Sequence, residues 1–419
     1  MKGEFTDLVL IIGTSPLPNY VVAKYFVDTN NSLERIWFVH SDSNSNQSST
    51  RMYAENIELL LLKKCNNINA NMFKYVPIKN IENMQEINNT LASLIQFESD
   101  SKVHLNFTGG TKVMVVQAYN FINNLEEIEE KNFSYLSSRT FDLRDGNQNI
   151  ICKDLRPFIV TSIEDLISLH NYERANELDN FDFSEATKLF SQLITRNKLD
   201  SYYNNKIAWN RGIFLVKKGN LAKNYAALNL DLIKREQPRS KQFLDIIKAM
   251  PKELRIYDGQ GIFVKPETDK NLETALGYLD GKWLEEYVYQ TLKEHLKDHN
   301  NIYIDKNWEI KDPNWMNNKF EIDVIMIKGY QLFGISCTTL GGSNKAAIKN
   351  KGFEIILRSR QMGGDEAKAI LITRADEQLR KLIEDELKTE TGAKENILVL
   401  GNTDIEHSRL TKKISDFIK

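Results

Sequence analysis

The sequence predicts an α/β protein in three parts: a parallel-sheet domain, a helical connector and a second, smaller α/β domain. Two patterns carry this expectation. Over the first ~155 residues, short continuous apolar runs alternate with amphipathic stretches, and from about Gly277 a helix is followed by three strand-like runs, a helix and a further strand. Apolar runs without polar alternation are those of strands covered on both faces, as in a parallel sheet packed between helices. In order, Leu8 to Ile12 reads as strand, Asn19 to Val27 as helix, Arg35 to Val39 as strand and about Met52 to Lys64 as helix. Phe73 to Pro77 is a weaker strand, Ile81 to Gln96 a helix, Val103 to Phe107 a strand and Thr111 to about Glu126 a long helix. The domain boundaries so drawn are 1–156, 157–276 and 277–419.

Residues from about 157 to 245 carry helical periods and few strand signals. Within Pro251 to Pro266, RIYDGQGIFV reads as a short hairpin, either a winged-helix fragment or structural padding. In the third part, Trp283 to Leu296 is an amphipathic helix and Asn301 to Ile310 is strand-like. Glu321 to Ile327 and Gln331 to Cys337 form a hairpin through a Lys-Gly turn. A helix from about Ser343 to Met362 stops at Gly363-Gly364, and Lys368 to Thr373 is the next strand. This element order is that of a restriction-endonuclease-like core, and the first part is Rossmann-like, with ligands expected beyond the carboxyl ends of its strands.

Composition narrows the function. At 419 residues, 41% hydrophobic and 27% charged, the chain is too long for one core and too apolar for wholesale disorder. A formal net charge of −2 argues against a protein that coats nucleic acid nonspecifically, so any such contact is a local basic groove. Cys65, Cys152 and Cys337 lie far apart and suggest neither a disulfide framework nor a structural zinc site. His295 and His299 lack the glutamate of HExxH and read as a solvated helix face. No stretch approaches twenty apolar residues, so neither a signal peptide nor a membrane span is expected, and the cytoplasm is the expected address.

Two strand-end loops carry residues suited to binding. Gly13, Thr14 and Ser15 follow the first strand, and Asn106, Phe107, Thr108, Gly109, Gly110, Thr111 and Lys112 join a strand to a helix. Small residues let a backbone approach a ligand, helix N-terminal amides bind phosphate oxygens, and Thr108, Thr111 and Lys112 add hydroxyls and a cation. Taken bare, the same residues also make an ordinary Gly-Gly turn. Neither GxGxxG nor a Walker A pattern is present, so a dinucleotide or a nucleoside triphosphate is not indicated. LIIGTSPLPN together with LNFTGGTKVMVVQAY resembles the CRISPR-associated Rossmann fold (CARF) family, in the branch that carries a C-terminal nuclease. That branch has a motif close to N-x-T-G-G-T-K, matched here at Asn106, Thr108, Gly109, Gly110, Thr111 and Lys112. The resemblance implies a homodimer whose facing CARF domains bind a symmetric cyclic oligoadenylate, with cyclic tetra-adenylate the expected ring. The Ser-rich stretch from Ser41 to Thr50 would either cap that ligand or remain a solvent loop.

Metal-dependent phosphodiester cleavage needs carboxylates to hold Mg²⁺ or Mn²⁺, and usually a lysine to orient the attacking water. The PD-(D/E)xK fold supplies an Asp on one hairpin strand and E-x-K on the next, with a helix glutamate assisting. Here Ile322 and Val324 share one face of a strand and Glu321 and Asp323 the other, an expensive acidic pair unless solvated or metal-bound. Gly281-Lys282-Trp283-Leu284-Glu285 resembles the first-helix motif of the branch, making Glu285 the matching helix carboxylate and Asp323 the matching metal ligand. The second strand departs from the I-E-C-K-T expected of it: Ser336 stands for the glutamate and Thr338 for the lysine. Either the site is degenerate or its functions have moved to the next helix, where Lys345, Lys349, Lys351, Glu354 and Arg358 form a locally basic run suited to a phosphate groove. On the second alternative Glu354 replaces the lost metal ligand and Lys349 or Lys351 the lost lysine. The expected function is a cyclic-oligoadenylate-activated, metal-dependent nuclease cutting DNA or RNA in type III CRISPR antiviral defence. The alternatives are a non-catalytic nucleotide sensor with a degenerate nuclease domain and, ranked lower, a CARF domain that cleaves its own ligand.

Overall fold

The structure is a computed structural model describing residues 4–43, 48–147, 149–175, 181–210, 213–214, 220–238, 240–313, 319–342 and 344–419. The first domain alternates β1 (Asp7–Ile12), α1 (Leu17–Thr29), β2 (Arg35–Ser41), α2 (Arg51–Lys64), β3 (Phe73–Ile78), α3 (Met84–Leu94), β4 (Val103–Asn106) and α4 (Lys112–Asn123). It continues with β5 (Lys131–Leu136), β6 (Leu143–Asp145) and β7 (Ile150–Cys152), which the sequence pattern did not reveal. Among the described residues the sheet order is β3-β2-β1-β4-β5-β6-β7, parallel from β3 to β5 and antiparallel beyond. All six residues of β1 are buried, Leu8 to Ile12 as their apolar run requires and Asp7 by pairing with Arg35 and the Trp37 ring N–H. The strand order reverses between β1 and β4, so the loops after these two strands meet at the switch point where ligands of such sheets bind.

The connector contributes α5 (Ile163–Leu169), β8 (Glu173–Arg174), α6 (Ser184–Thr195), α7 (Leu199–Asn210), α8 (Leu230–Arg235) and α9 (Lys241–Ala249). The short hairpin at RIYDGQGIFV is realised as one antiparallel bridge, Tyr257 to Phe263. Helix α10 (Asp269–Gly277) runs through a turn of π-helix at Tyr278–Lys282 into α11 (Trp283–His295). The C-terminal domain follows: β9 (Ile302–Lys311), β10 (Lys319–Lys328), β11 (Gln331–Cys337), α12 (Lys345–Gly363), β12 (Lys368–Ile372), α13 (Glu377–Thr391), β13 (Ile397–Leu400) and α14 (His407–Phe417). The expected start of α12 at Ser343 falls outside the described residues. Its sheet, β13-β12-β11-β10-β9-β8, is antiparallel from β8 to β11 and parallel from β11 to β13.

The boundary drawn at residue 156 falls inside a contact. Helix α5 packs in the same buried cluster as α1 and α2, and β8 adds an edge strand to the second sheet. That cluster is continuous from Leu17 and Phe26 through Leu155 and Ile159 to Ile325, Ile327 and Ile355, so the first domain and one face of the second sheet share a core. The opposite face, with Val324, Met326, Phe333 and Ile335, packs against α11, α14 and the connector. The β10–β11 turn docks on the first domain: Thr161 N donates to Gly329 O at 2.9 Å and Arg156 Nη1 to Gln331 Oε1 at 2.8 Å. Gly329 has φ +64, and a Cβ there would meet Arg156 O at 2.2 Å. Gly329→Ala should therefore lower stability by about 1–3 kcal/mol, more than Gly392→Ala, where φ is +69 but a Cβ would meet nothing within 4 Å. Urea unfolding midpoints of the two variants check the order, and equal losses would exclude a tight joint at Gly329.

Candidate active site and sensor loops

Three carboxylates converge where α11 crosses the β10–β11 hairpin. One oxygen from each of Glu285, Glu321 and Asp323 lies within 4.8 Å of the others. Ile322 and Val324 are both buried but on opposite faces of the sheet, so the alternation expected through Asp323 is broken opposite Asn307, where φ is +55, and the carboxylates of Glu321 and Asp323 still meet at the site. Asp323 Oδ2 accepts from the Cys337 amide at 2.6 Å and the Ser336 hydroxyl at 3.2 Å. Glu285 Oε2 is buried with no hydrogen-bond partner. Burial, and then the neighbouring Asp323, push the Glu285 carboxyl well above the ordinary range. Burial likewise pushes Asp323 up to about 6, raised further by Glu321 and offset by the Cys337 amide and by Lys351. The Cys337 thiol is pushed up by burial, Asp323 and Glu285, and so stands protonated beside the cluster. At the rim, Lys282 Nζ lies 3.5 Å from Glu321 Oε1. An all-oxygen donor set with one unpartnered buried oxygen fits a hard divalent cation.

The two sensor loops interlock at the switch point. A Cβ on Gly13 would lie 2.9 Å from Gly110 N, and one on Gly110, where φ is +81, would lie 2.1 Å from Ile11 Cγ2. A Cβ on Gly109 would meet Ile11 O at 2.4 Å. Close backbone packing therefore demands all three glycines. Thr111 caps α4, its Oγ1 accepting from Met114 N at 3.2 Å. Thr14, Gly110, Thr111 and Lys112 are exposed around the junction. Asn106 lies beneath it, fully buried, with Nδ2 on Ser134 Oγ at 2.9 Å and Oδ1 accepting from Thr108 N at 3.2 Å. Thr108 Oγ1 accepts from Leu136 N at 2.7 Å. Asn106 thus shapes the loop from below, and Thr108, partly exposed, is tied to the neighbouring strand. The middle of the Ser-rich stretch, 44–47, lies outside the described residues; its far end is tied to β1 by Thr50 Oγ1 donating to Ile12 O at 3.0 Å.

A family model for the Card1 CARF domain matches residues 8–172, and one for the Card1-like endonuclease domain matches residues 272–397. The chain belongs to the Card1-like CARF endonucleases. Over 99% of both chains it is similar to Can2 from Sulfobacillus thermosulfidooxidans, solved in complex with cyclic tetra-adenylate, at 16% identity and a TM-score of 0.61. Protein VC1899 from Vibrio cholerae is similar over 98% of both chains, also at 16% identity and a TM-score of 0.61. At that identity the likeness is one of fold. No curated relative matches by sequence.

In this CARF endonuclease the structure brings Glu285 and Asp323 together as expected from the motif, but it does not bring Glu354 or Lys349 to them. Glu354 is half-exposed and paired with Lys351 at 3.3 Å. Lys349 is drawn to Glu386 at 2.9 Å and Glu390 at 2.5 Å on α13, and Lys345 to Glu386 at 2.5 Å. Arg360 pairs with Asp365, and Arg358 lies 4.5 Å over the Phe320 ring. The basic run of α12 is thus largely matched by neighbouring acids. Lys351 stands near enough to favour the ionised forms of Glu285 and Asp323. The third carboxylate is Glu321, whose signal was its place on the Asp323 face of the strand. His295, on the helix face read as solvated, bonds Ser415 Oγ at 3.0 Å.

The raised Asp323 pKa fixes a sign. Between its ordinary value of 3.8 and about 6 the folded chain binds more protons than the unfolded one, so metal-free stability falls as pH rises through that window. Asp323→Asn should therefore unfold at a higher temperature than the parent above pH ~6 in chelator, lose that advantage below pH ~4, and gain nothing from Mn²⁺. Thermal melts across pH with and without Mn²⁺ check this; a parent whose midpoint does not respond to pH in this window would contradict the crowded-carboxylate picture.

Proposed function

We propose that this chain is a divalent-metal-dependent endonuclease of type III CRISPR antiviral defence, acting in the cytoplasm, whose CARF domain binds a cyclic oligoadenylate and thereby controls cleavage of nucleic acid. The observation that carries this is the cluster of Glu285, Glu321 and Asp323, with an unpartnered buried oxygen, in the endonuclease domain of a CARF endonuclease. These residues would hold Mg²⁺ or Mn²⁺, which when bound supplies Lewis-acid activation of a phosphoryl oxygen and of water. The chain's own contribution is to hold Asp323 rigidly through the Cys337 amide and Ser336 hydroxyl, and to seat Glu285 opposite it from α11. Ser336, where a glutamate is expected, thus orients the neighbouring carboxylate, and Glu321 makes up the carboxylate count.

The glycine-packed sensor junction, rimmed by Thr14, Thr111 and Lys112, suits a phosphodiester ring, and cyclic tetra-adenylate is the ring bound by Can2. Lys112, Val116 and Tyr119 follow one another along α4, with both apolar side chains exposed, which suits a homodimer about the ring. Direct contact offers a coupling route. Ser15 in the first sensor loop faces Gly364 at the end of α12, where a Cβ would meet Ser15 Oγ at 2.7 Å and Glu366 Oε2 at 3.0 Å. Both oxygens are buried without a partner, and burial pushes the Glu366 carboxyl up to about 7. A ligand that draws Ser15 toward the ring would alter this contact, and only different affinity for the two arrangements can shift their balance.

The test is cleavage of labelled single- and double-stranded DNA and RNA with Mn²⁺, with and without cyclic tetra-adenylate. Asp323→Ala should abolish cleavage and leave ligand affinity unchanged. Gly110→Val should weaken ligand binding by at least about tenfold, ~1.4 kcal/mol, and cleavage with it. Gly364→Ala should retain ligand binding and lose activation. A chain that binds the ring but cuts no substrate would instead support the non-catalytic sensor.

A further inference from the structure

The hairpin lacks the lysine that its fold class carries on the second strand, where Thr338 stands. Four other lysines lie nearby, and the structure separates them. Lys345 and Lys349 are held by carboxylates of α13. Lys351 lies near enough to act on Glu285 and Asp323, but it is paired with Glu354 at 3.3 Å. Lys282 is different. It closes the π-turn between α10 and α11, one turn before Glu285, and its Nζ lies 3.5 Å from Glu321 Oε1. Partial burial works against its charge, but all three carboxylates of the cluster favour it, Glu285 most, then Glu321 and Asp323. Its side chain is 54% exposed, so the ammonium stands at the mouth of the site and not beneath it. The preceding residue abuts the end of β11: a Cβ on Gly281 would lie 3.4 Å from Thr339 Oγ1. The backbone of the π-turn therefore runs beside the place from which the strand lysine is missing. A π-turn inserts one residue into an α-helical path, and such turns concentrate at functional sites.

We propose that Lys282 is the catalytic lysine of this nuclease, supplied from the first helix in place of Thr338 on the strand; the assignment rests on the nuclease reading above. Its ammonium donates hydrogen bonds to the attacking water and to a non-bridging oxygen of the scissile phosphate. The water oxygen forms the new P–O bond and the P–O bond to the leaving sugar oxygen breaks. The proton lost by the water passes to solvent and the leaving oxygen takes one from solvent, so Lys282 stays charged throughout. Its contribution is fixed positive charge where negative charge develops, for which removal of a single donor costs about a hundredfold in rate.

The experiment uses the full-length chain, activated by cyclic tetra-adenylate with Mn²⁺. Lys282→Ala should lower kcat about a hundredfold with KM little changed, and methylammonium should restore part of the loss. In the Lys282→Ala background, Thr338→Lys should restore activity by returning the cation to the strand. Mn²⁺ affinity by calorimetry should be unchanged or tighter in Lys282→Ala, since a competing cation has left the carboxylates. Full activity in Lys282→Ala, a loss accompanied by weakened Mn²⁺ binding, or a loss that neither methylammonium nor Thr338→Lys repairs would overturn the assignment alone. A parent chain that cuts nothing would overturn the nuclease reading and this assignment with it.

Discussion

Repulsion among three carboxylates at one end of the β10–β11 hairpin is what the C-terminal domain is built around. At the separations seen, two buried charges such as Glu285 and Asp323 repel by on the order of 3 kcal/mol at an effective dielectric constant of about 20, and burial adds to that cost. A structural core would not gather such groups without compensation. The compensation is partial and directional: the Cys337 amide and Ser336 hydroxyl serve Asp323 and Lys282 serves Glu321, while the buried oxygen of Glu285 has no partner. The unspent demand for positive charge at that oxygen distinguishes this cluster from a solvated acidic face. The sensor junction meets the opposite constraint. There the backbone approach of Gly13 to Gly110 leaves no room for side chains, so the exposed amides and hydroxyls around it are presented on a rigid floor.

Much of this was legible in the residues. The apolar run of β1 reflects a local rule of burial and folds as that rule requires, whereas the alternation through Glu321, Ile322, Asp323 and Val324 holds for burial but not for face, since Ile322 and Val324 pack on opposite sides of the sheet. Strands β5 to β7 were not legible, because Lys131–Leu136 lies toward the sheet's antiparallel margin and is only partly buried, so no continuous apolar run marks it. The same limit misplaced Glu354 and Lys349. Helical spacing places residues on a face but is silent about what faces them, and Glu386 and Glu390 arrive from a helix some forty residues later. Contacts across residue 156 were hidden for a related reason: α5 and β8 are short, and their partners, α2 and β9, are remote in sequence.

The joint between the domains ties these observations together. The hairpin that carries Asp323 on one strand and the Cys337 amide on the other is gripped at its turn by Arg156 and Thr161 of the first domain's margin. Helix α12, which brings Lys351 toward the carboxylates, ends at Gly364 against Ser15 of the sensor loop. Both elements are therefore held by the first domain at one end and border the acidic cluster at the other. A β-hairpin and a five-turn helix are stiff over that distance, and close-packed cores shift between discrete arrangements instead of deforming smoothly. Because Ile325, Ile327 and Ile355 lie in one buried cluster with Leu17 and Phe26, a displacement of the β1 loop cannot be absorbed at a solvent-filled hinge. The carboxylates at the far ends of hairpin and helix tolerate little displacement, since the Asp323 position depends on a 2.6 Å bond to the Cys337 amide across the hairpin.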